Sequence, residues 1–487
     1  MKRHSEITKA SRRASGDNPE QEPSRPITSV PSIRSAVRFA CGALAALGLV
    51  AACLFAQEAA SGAGLSQDTG SRQDAAASPL KGGASARRTD ANAQAVARGR
   101  YVALAADCAA CHTDPQGGRL FAGGYALQTP FGKLVASNIT MDKATGIGAW
   151  TEQEFTRAVR EGKGRHGENL YPAMPYNAYV KISDQDMRDL WAYMRTIEPV
   201  EHKVVSNQLP FPFNIRLLMS GWNLLFFDQT PFTPIDGQSA EVNRGAYLVQ
   251  GLGHCAVCHT PKNFLGGDKA GAFLQGGDLG GWHAPEITSN AYTGIGSWSS
   301  PQIVQYLKTG SNPLTVAAGP MAEVVTDSTQ HMTDSDLTAI ASYLKTLPGS
   351  SHTRPAPLRE DDAQMRLGAR VYAANCAACH ARGGEGIAGI ASRFPGNPGI
   401  HAPSTASLLT TVLLGGRGAV TGNNPTSGAM PAFAWKLSDE QIAAVLTYLR
   451  NHWGNAAPAV SAQQVADARK RTGSRSQLQV SPPASVK

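Results

Sequence analysis

Cysteine outside one repeated pattern is scarce in this chain. Six of the eight cysteines fall in a five-residue pattern that occurs three times, and only Cys41 and Cys53 lie apart from it. A disulfide framework is therefore not indicated. The sequence also lacks a flavin fingerprint, a glycine motif for a nicotinamide cofactor and a Cys/His copper cluster. These absences argue against a self-contained flavin or nicotinamide dehydrogenase and against a terminal oxidase arm.

The central part of the chain carries no net charge. The overall charge of +8 comes from the ends, since residues 1–38 hold eight Lys/Arg against four Asp/Glu and residues 467–487 hold five against one. Residues 39–466 therefore balance to zero. Because a nucleic-acid footprint needs a basic folded face, we exclude nucleic-acid binding. Basic ends beside an apolar run suit an anionic inner-membrane surface instead.

The repeated pattern is Cys-x-x-Cys-His, the attachment signature of c-type haem. The copies are Cys108/Cys111/His112, Cys255/Cys258/His259 and Cys376/Cys379/His380. In this chemistry the two thiols bind the porphyrin covalently and the histidine coordinates the iron. A redox dithiol or half of a zinc site would use similar residues. Three copies, each ending in histidine, favour three covalently bound haems c.

An internal repeat surrounds the three motifs and defines units one, two and three. Each unit opens with a helix that carries a glycine and a tyrosine, and closes with an amphipathic helix that has a capping-box start. The opening pairs are Gly99/Tyr101, Gly245/Tyr247 and Gly368/Tyr372, and the caps are Ser183, Thr333 and Ser438. We predict that each glycine lets the aromatic residue of the closing helix cross closely.

Units one and two share a Thr-Gly-Ile-Gly-x-Trp segment that ends at Trp150 and Trp298. A buried indole N–H needs an acceptor. A haem propionate is one candidate partner for each tryptophan, and a purely structural role is the alternative. Unit three lacks the segment and is the divergent copy.

The ligand opposite each histidine decides what the haem does. Methionine raises the potential and suits electron transfer, whereas an open position suits catalysis on a small ligand. Each unit has a methionine in a loop near proline, namely Met174, Met321 and Met430. The interval from the motif histidine is 62 residues in units one and two, and 50 in the shorter unit three. We therefore predict three six-coordinate irons, with Met141 and Met332 as weaker ligand candidates and Met187 and Met194 as core residues. Each Cys-x-x-Cys-His motif would then mark one end of a closed iron site.

Two apolar segments lie outside the units. Residues 39–56 follow Arg34 and Arg38 and fit a signal sequence, a membrane anchor or, with Cys53, a lipid-attachment site. Residues 209–227 are apolar but are broken by two prolines. This segment is expected to pack between haem domains, to dock a partner subunit or to lie at the membrane interface.

Taken together, residues 93–454 resemble the three-haem cytochrome c subunits of membrane-bound bacterial alcohol, gluconate and sorbitol dehydrogenases. The resemblance rests on the three motifs, Thr-Pro-Phe-Gly at 129–132, the segments ending at Trp150 and Trp298, Tyr-Pro-Ala-Met-Pro-Tyr at 171–176 and Phe-Pro-Phe-Asn-Ile-Arg at 211–216. It implies an all-α fold of three tandem class I cytochrome c domains. The expected organisation is a disordered basic N-terminus (1–38), a signal or anchor (39–56), a flexible linker (57–92), domain one (93–200), an apolar linker (201–240), domain two (241–348), a linker (349–362), domain three (363–454) and a tail (455–487).

The resemblance also implies a function. Such a subunit takes electrons from a separate quinoprotein or flavoprotein dehydrogenase and delivers them to ubiquinone, at the periplasmic face of the inner membrane. Two alternatives stay open: the cytochrome subunit of a molybdenum hydroxylase, and a multihaem peroxidase-like enzyme with an open haem site.

Overall fold

The structure is a computed structural model that describes residues 82–473, with side chains described from residue 90. The predicted N-terminal extension, the anchor at 39–56, most of the linker 57–92 and residues 474–487 of the tail lie outside the described residues. Within residues 82–473, no helix has the length and apolar character needed to cross a membrane.

Helices dominate the described chain, as predicted, and each of the three units contains five of them. The first unit contains α1 (Gly82–Ala105), α2 (Cys108–His112), α3 (Glu152–Glu161), α4 (Tyr176–Tyr179) and α5 (Asp184–Met194), and the linker contains α6 (Leu218–Phe226). The second contains α7 (Ala240–Tyr247), α8 (Ala256–His259), α9 (Ser300–Thr309), α10 (Pro320–Asp327) and α11 (Asp334–Thr346). The third contains α12 (Ala363–Asn375), α13 (Ala377–His380), α14 (Pro398–His401), α15 (Ala406–Leu414) and α16 (Asp439–Asn451), followed by α17 (Ala462–Gly473).

Three short antiparallel hairpins add strands to the predicted helical fold. They are β1 (Ala126–Thr129) with β2 (Gly132–Val135), β3 (Gly277–Asp278) with β4 (His283–Ala284), and β5 (Gly416–Arg417) with β6 (Ala429–Met430). Each hairpin lies in the long loop between a motif and its closing helix. The fold class is therefore helix-rich with small sheets in the loops.

The first and last helices of each unit cross at a glycine, which confirms the predicted close approach. A Cβ on Gly99 would lie 1.8 Å from the Asp189 carbonyl oxygen of α5 and 2.8 Å from Tyr193 Cβ. Gly245 and Gly368 make the equivalent approaches to α11 and α16. Only glycine fits such backbone contact, so each pair of helices is held at one crossing point.

The closing helices begin at the predicted caps. Ser183 and Thr333 each accept a hydrogen bond from the backbone N–H three residues on, and Ser438 forms a full capping box with Gln441. These side chains satisfy amide groups that the first helical turn leaves unpaired. The caps therefore fix where each closing helix starts.

Units one and two share one continuous hydrophobic core, whereas unit three has its own. The C-terminal helix α17 belongs to this third core through the buried side chains of Val465 and Ala468. Arg469 of α17 also donates to Asp439 and to the carbonyl of Leu437. Part of the predicted tail therefore packs as an integral helix.

Candidate haem-binding sites

Each Cys-x-x-Cys-His motif lies on a short helix that follows the opening helix of its unit. Asp107 adopts a left-handed conformation (φ 52°) and turns the chain from α1 into α2. In units two and three the first motif cysteine, Cys255 or Cys376, is itself the N-cap residue of α8 or α13. Because residues three apart share a helix face, the two thiols of each motif point to one side. This arrangement suits attachment to one flat macrocycle.

The environment of the thiols disfavours the two competing interpretations. All six motif cysteines are unpaired. Burial raises the pKa of Cys108 and Cys255 to about 12 and that of Cys376 to about 11. A catalytic dithiol needs the opposite shift. Within residues 82–473, the cysteines do not gather with other His, Asp or Glu side chains into a metal-ion cluster.

The second cysteines of the motifs differ in exposure. Cys111 and Cys379 are exposed, whereas Cys258 in unit two and Cys376, the partner of Cys379, are half-buried. Cys379 lies near the end of the four-residue helix α13, and the chain turns away at Ala381 with φ 61°.

Cys379 keeps the helix face that it shares with Cys376. Covalent attachment needs a thiol that the macrocycle can reach, and the assignment of Cys379 to a haem stays a prediction.

The three motif histidines are oriented in the same way. His112 Nδ1 donates to the Ser137 carbonyl at 2.7 Å, His259 Nδ1 to the Pro285 carbonyl at 2.6 Å, and His380 Nδ1 to the Ser392 carbonyl at 3.0 Å. A carbonyl oxygen only accepts, so the proton is on Nδ1 and the Nε2 lone pair is available. This is the arrangement that a metal-ligating histidine requires.

Burial also keeps these imidazoles neutral. It lowers the pKa of His112 and His380, and it lowers the pKa of His259 to about 4. A neutral imidazole can ligate iron, whereas an imidazolium cannot. The chain therefore presents three correctly protonated ligands at neutral pH.

Sequence reasoning missed the orienting carbonyls, although a signal for two of them was present. Ser137 and Pro285 come directly before the matched stretches 138–140 and 286–288 that units one and two share. Asn138 Nδ2 donates to Thr145 Oγ1, and Thr293 Oγ1 donates to Glu286, so each stretch is tied to its Thr-Gly-Ile-Gly segment. Those bonds fix the backbone that carries the orienting carbonyl.

The three predicted axial methionines lie in loops or at element ends. Met174 lies in a turn that leads into α4, Met321 is the second residue of α10, and Met430 is paired with Gly416 in β6. Each is half-buried at the edge of a core. Their positions differ from those of the core methionines Met187, Met194 and Met332, which are at most 2% exposed. Met141 is partly buried against the core of units one and two.

Trp298 offers an unsatisfied donor. Its side chain is buried, and its indole Nε1 has no hydrogen-bond partner among the described residues. Buried polar groups are normally paired. A haem propionate would satisfy this donor, so the residue fits the group. Trp150, its counterpart in unit one, is half-buried.

Two reciprocal tyrosine contacts join units one and two. Tyr101 of α1 donates to Asp336 of α11 at 2.6 Å, and Tyr247 of α7 donates to Asp186 of α5. Each tyrosine oxygen also accepts the cap N–H of the opposite closing helix, from Thr333 or from Ser183. The two units are therefore paired with approximate two-fold symmetry.

This pairing brings the first two motifs close together. Tyr179 of unit one donates to the Ala106 carbonyl just before the first motif, and its ring packs on His254 just before the second. Helix α10, which carries Met321, contacts α2. Electrons moving between the two sites would therefore cross a short, packed junction.

The third site adjoins the second through Ser392. The backbone carbonyl of Ser392 orients His380, while its hydroxyl accepts the Val316 N–H at 3.1 Å. Ala318, which precedes Met321, pairs with Gly418 next to the β5–β6 hairpin. The loop that leads to Met321 therefore touches both the histidine side and the methionine side of unit three.

The sequence is similar to several cytochrome c subunits of dehydrogenases. The cytochrome c family model matches residues 96–198 and 365–453. The chain is 39% identical to the fructose dehydrogenase cytochrome subunit of Gluconobacter japonicus, over 78% of this chain and 83% of that one. It is 40% identical to the gluconate 2-dehydrogenase cytochrome c subunit of Pantoea cypripedii (78% and 90% covered). It is 38% identical to the cytochrome c subunit of alcohol dehydrogenase (quinone) of Gluconobacter oxydans (77% and 82% covered).

Sequence identity of this extent, over most of both chains, is evidence that does not depend on the geometry of the haem-binding sites. Both kinds of evidence indicate a cytochrome c. Cytochrome c domains imply covalently bound haem c, which the oriented histidines and paired thiols fit. The chain belongs to the family of cytochrome c subunits of fructose, gluconate and alcohol dehydrogenases.

Proposed function

We propose that the chain is an electron-transfer subunit that carries three haems c and moves electrons from a partner dehydrogenase to membrane ubiquinone. The proposed iron ligands are His112 with Met174, His259 with Met321, and His380 with Met430. The observation that best supports this proposal is the repeated hydrogen bond from histidine Nδ1 to a backbone carbonyl, which leaves Nε2 of all three histidines available.

The residues of each haem-binding site would have different roles. The cysteine pairs would tether each haem, the histidine and methionine of each unit would ligate its iron, and Trp298 would donate to a propionate. The haem supplies reversible one-electron storage at the iron. If each iron is held by both a histidine and a methionine, it would have no position left for a substrate. The units would then conduct electrons rather than catalyse a reaction.

The names of the relatives support a dehydrogenase partner. Their names place them in fructose, gluconate and alcohol dehydrogenases, so a quinoprotein or flavoprotein subunit is the proposed electron donor. Ubiquinone at the periplasmic face of the inner membrane is the proposed acceptor. We propose three class I domains at residues 93–200, 241–348 and 363–454, exported and held at the membrane by residues 39–56.

Carbon monoxide binding tests the closed irons. The dithionite-reduced full chain should bind carbon monoxide slowly and in far less than stoichiometric amount, because the histidine and methionine of each unit would both ligate the iron. The Met430→Ala variant is the positive control and should bind one equivalent quickly. Rapid stoichiometric binding to the unsubstituted protein would instead favour the peroxidase-like alternative.

A further inference from the structure

We propose that a groove between unit one, the linker and unit two binds the ubiquinone head group. This inference rests on the proposed function, because it assigns a place to the proposed acceptor. The groove has a volume of about 810 Å³, within the range of small-molecule sites. Its lining includes Val180, Lys181, Ile182, Phe227, Phe232 and Tyr247.

The walls of the groove suit a flat aromatic ring. Phe232 of the linker packs edge-on against Tyr247, with ring centroids 5.4 Å apart. Phe227 closes the other side and is itself held against Tyr176, at 5.0 Å between centroids. Val180 and Ile182 add aliphatic surface. The head group of a quinone would find aromatic and aliphatic contacts on several sides.

The rim of the groove carries the donors that quinone carbonyls need. Lys181 Nζ makes one long contact, 3.5 Å to the Thr230 carbonyl, and Gln229 is exposed at the mouth. Quinone oxygens only accept hydrogen bonds, so a lysine and an amide are suitable partners. Asp184 lies beside them, paired with Arg160 and largely exposed to solvent. The groove therefore combines carbonyl donors with a carboxylate in contact with water.

The linker forms part of this groove. The groove lies at the Tyr247–Asp186 contact, one of the two reciprocal tyrosine contacts between the units. Phe227 and Phe232, which line it, come from the linker between the units. The groove is therefore built from unit one, the linker and unit two together.

The groove lies next to the first haem-binding site. Val180 directly follows α4, whose Tyr179 reaches the Ala106 carbonyl beside the first motif. Tyr176 at the start of α4 packs on Phe227 and follows Met174 by two residues. One short helix therefore separates the groove from the predicted iron ligands of unit one.

An apolar surface extends from the groove along α6. Helix α6 ends at the groove, and Leu217, Leu224 and Leu225 are 68–86% exposed. Arg216 is the one charged residue between Leu209 and Phe227, and it lies over the Tyr171 ring at 4.9 Å and donates to the Asn169 carbonyl. The exposed side of α6 therefore carries no charge. It suits an isoprenoid tail and the acyl chains around it.

The reaction at the groove balances as a two-electron reduction. Ubiquinone takes up two electrons and two protons to give ubiquinol. The electrons come from two one-electron oxidations of ferrous iron in the chain, and the protons come from water at the rim, where Asp184 is exposed. The oxidant is the quinone itself.

Photolabelling and stopped-flow oxidation of the full holo-chain in detergent test the assignment. An azido-ubiquinone should label peptides that contain residues 180–186 or 227–247, and decylubiquinone should compete with the label. The reduced chain should be oxidised by decylubiquinone. Gln229→Trp, which fills the mouth from an exposed position, should slow that oxidation roughly tenfold or more by blocking access, while oxidation by ferricyanide stays unchanged.

Thr353→Trp, at an exposed position between α11 and α12, is the matched control and should behave as the unsubstituted chain. Labelling elsewhere, or a Gln229→Trp chain that reacts with quinone at the normal rate, would overturn the groove while leaving the quinone acceptor intact. A Gln229→Trp chain impaired only in accepting electrons from its dehydrogenase would also overturn it, in favour of partner docking. An unsubstituted chain that decylubiquinone does not oxidise would refute the proposed acceptor itself.

Discussion

Replacing Gly245 with alanine tests the helix crossing that organises unit two. A Cβ at this position would lie 1.9 Å from the Ala339 carbonyl oxygen and 2.8 Å from Tyr343 Cβ. The nearer atom belongs to the backbone and cannot rotate away, so α7 and α11 must separate by roughly an ångström in a close-packed interior. Overpacking of this kind costs about 1–3 kcal/mol, and backbone overlap favours the upper end. Alanine recovers up to about 1 kcal/mol of helix propensity over glycine.

The expected net loss is therefore about 2 kcal/mol, which lowers Tm by roughly 8–16 °C for a unit of about 100 residues. Scanning calorimetry of the holo-chain measures it. Gly221→Ala in α6 is the matched control, because nothing lies within 4 Å of a Cβ there. The same substitution at Gly221 should leave Tm unchanged or slightly higher. A Gly245→Ala protein as stable as the Gly221→Ala protein would refute the crossing argument.

Three further outcomes are expected. Tyr247→Phe removes the donor to Asp186 and should lower the free energy of unfolding by about 1–3 kcal/mol, measured by urea titration, because the carboxylate loses a partner at the interface; an unchanged midpoint would contradict this. The Arg98 guanidinium lowers the pKa of Asp189. The ion pair therefore stabilises the fold above the ordinary carboxyl pKa, and its contribution is lost as the pH falls through the lowered value. Arg98→Met should reduce the fall of Tm with decreasing pH on the acid side, and an unchanged fall would count against the pair. Trp298→Phe should shift the midpoint potential of one haem in a redox titration if the indole binds a propionate, and three unchanged potentials would leave it a structural residue.

The helix crossings and caps could be predicted because each depends on local sequence. Gly99, Gly245 and Gly368 lie at the same distance before their motifs, to within one or two residues. Once the packed face of the opening helix is known, each glycine must lie against the closing helix. The caps at Ser183, Thr333 and Ser438 likewise have a sequence signature of their own. For such features the local chemistry determines the geometry.

Contacts between distant parts of the chain could not be predicted from the local sequence. Tyr101 and Asp336 were each visible as a repeated tyrosine and a cap residue, yet nothing in the pattern pairs residues 235 apart. The carbonyls of Ser137, Pro285 and Ser392 have no side-chain signature at all. Both depend on how the units pack, which periodicity does not encode.

The linker shows the same limit. Its hydrophobicity fitted packing, docking or the membrane interface, because two prolines interrupt the periodicity that would identify a buried face. In the structure, one side of the linker packs over unit one, where Tyr176 donates to Asn223 and Tyr171 to the Phe213 carbonyl. The opposite side of α6 is exposed. The segment therefore packs on one side and remains available for an interaction on the other.

The haem content of the purified chain tests the central claim most directly. A pyridine haemochrome assay combined with intact-protein mass should return three haems c per chain, and a Cys376→Ala/Cys379→Ala chain, which lacks both thiols of one motif, should return two. Two or fewer haems per unsubstituted chain would contradict the account of three haem-binding Cys-x-x-Cys-His sites.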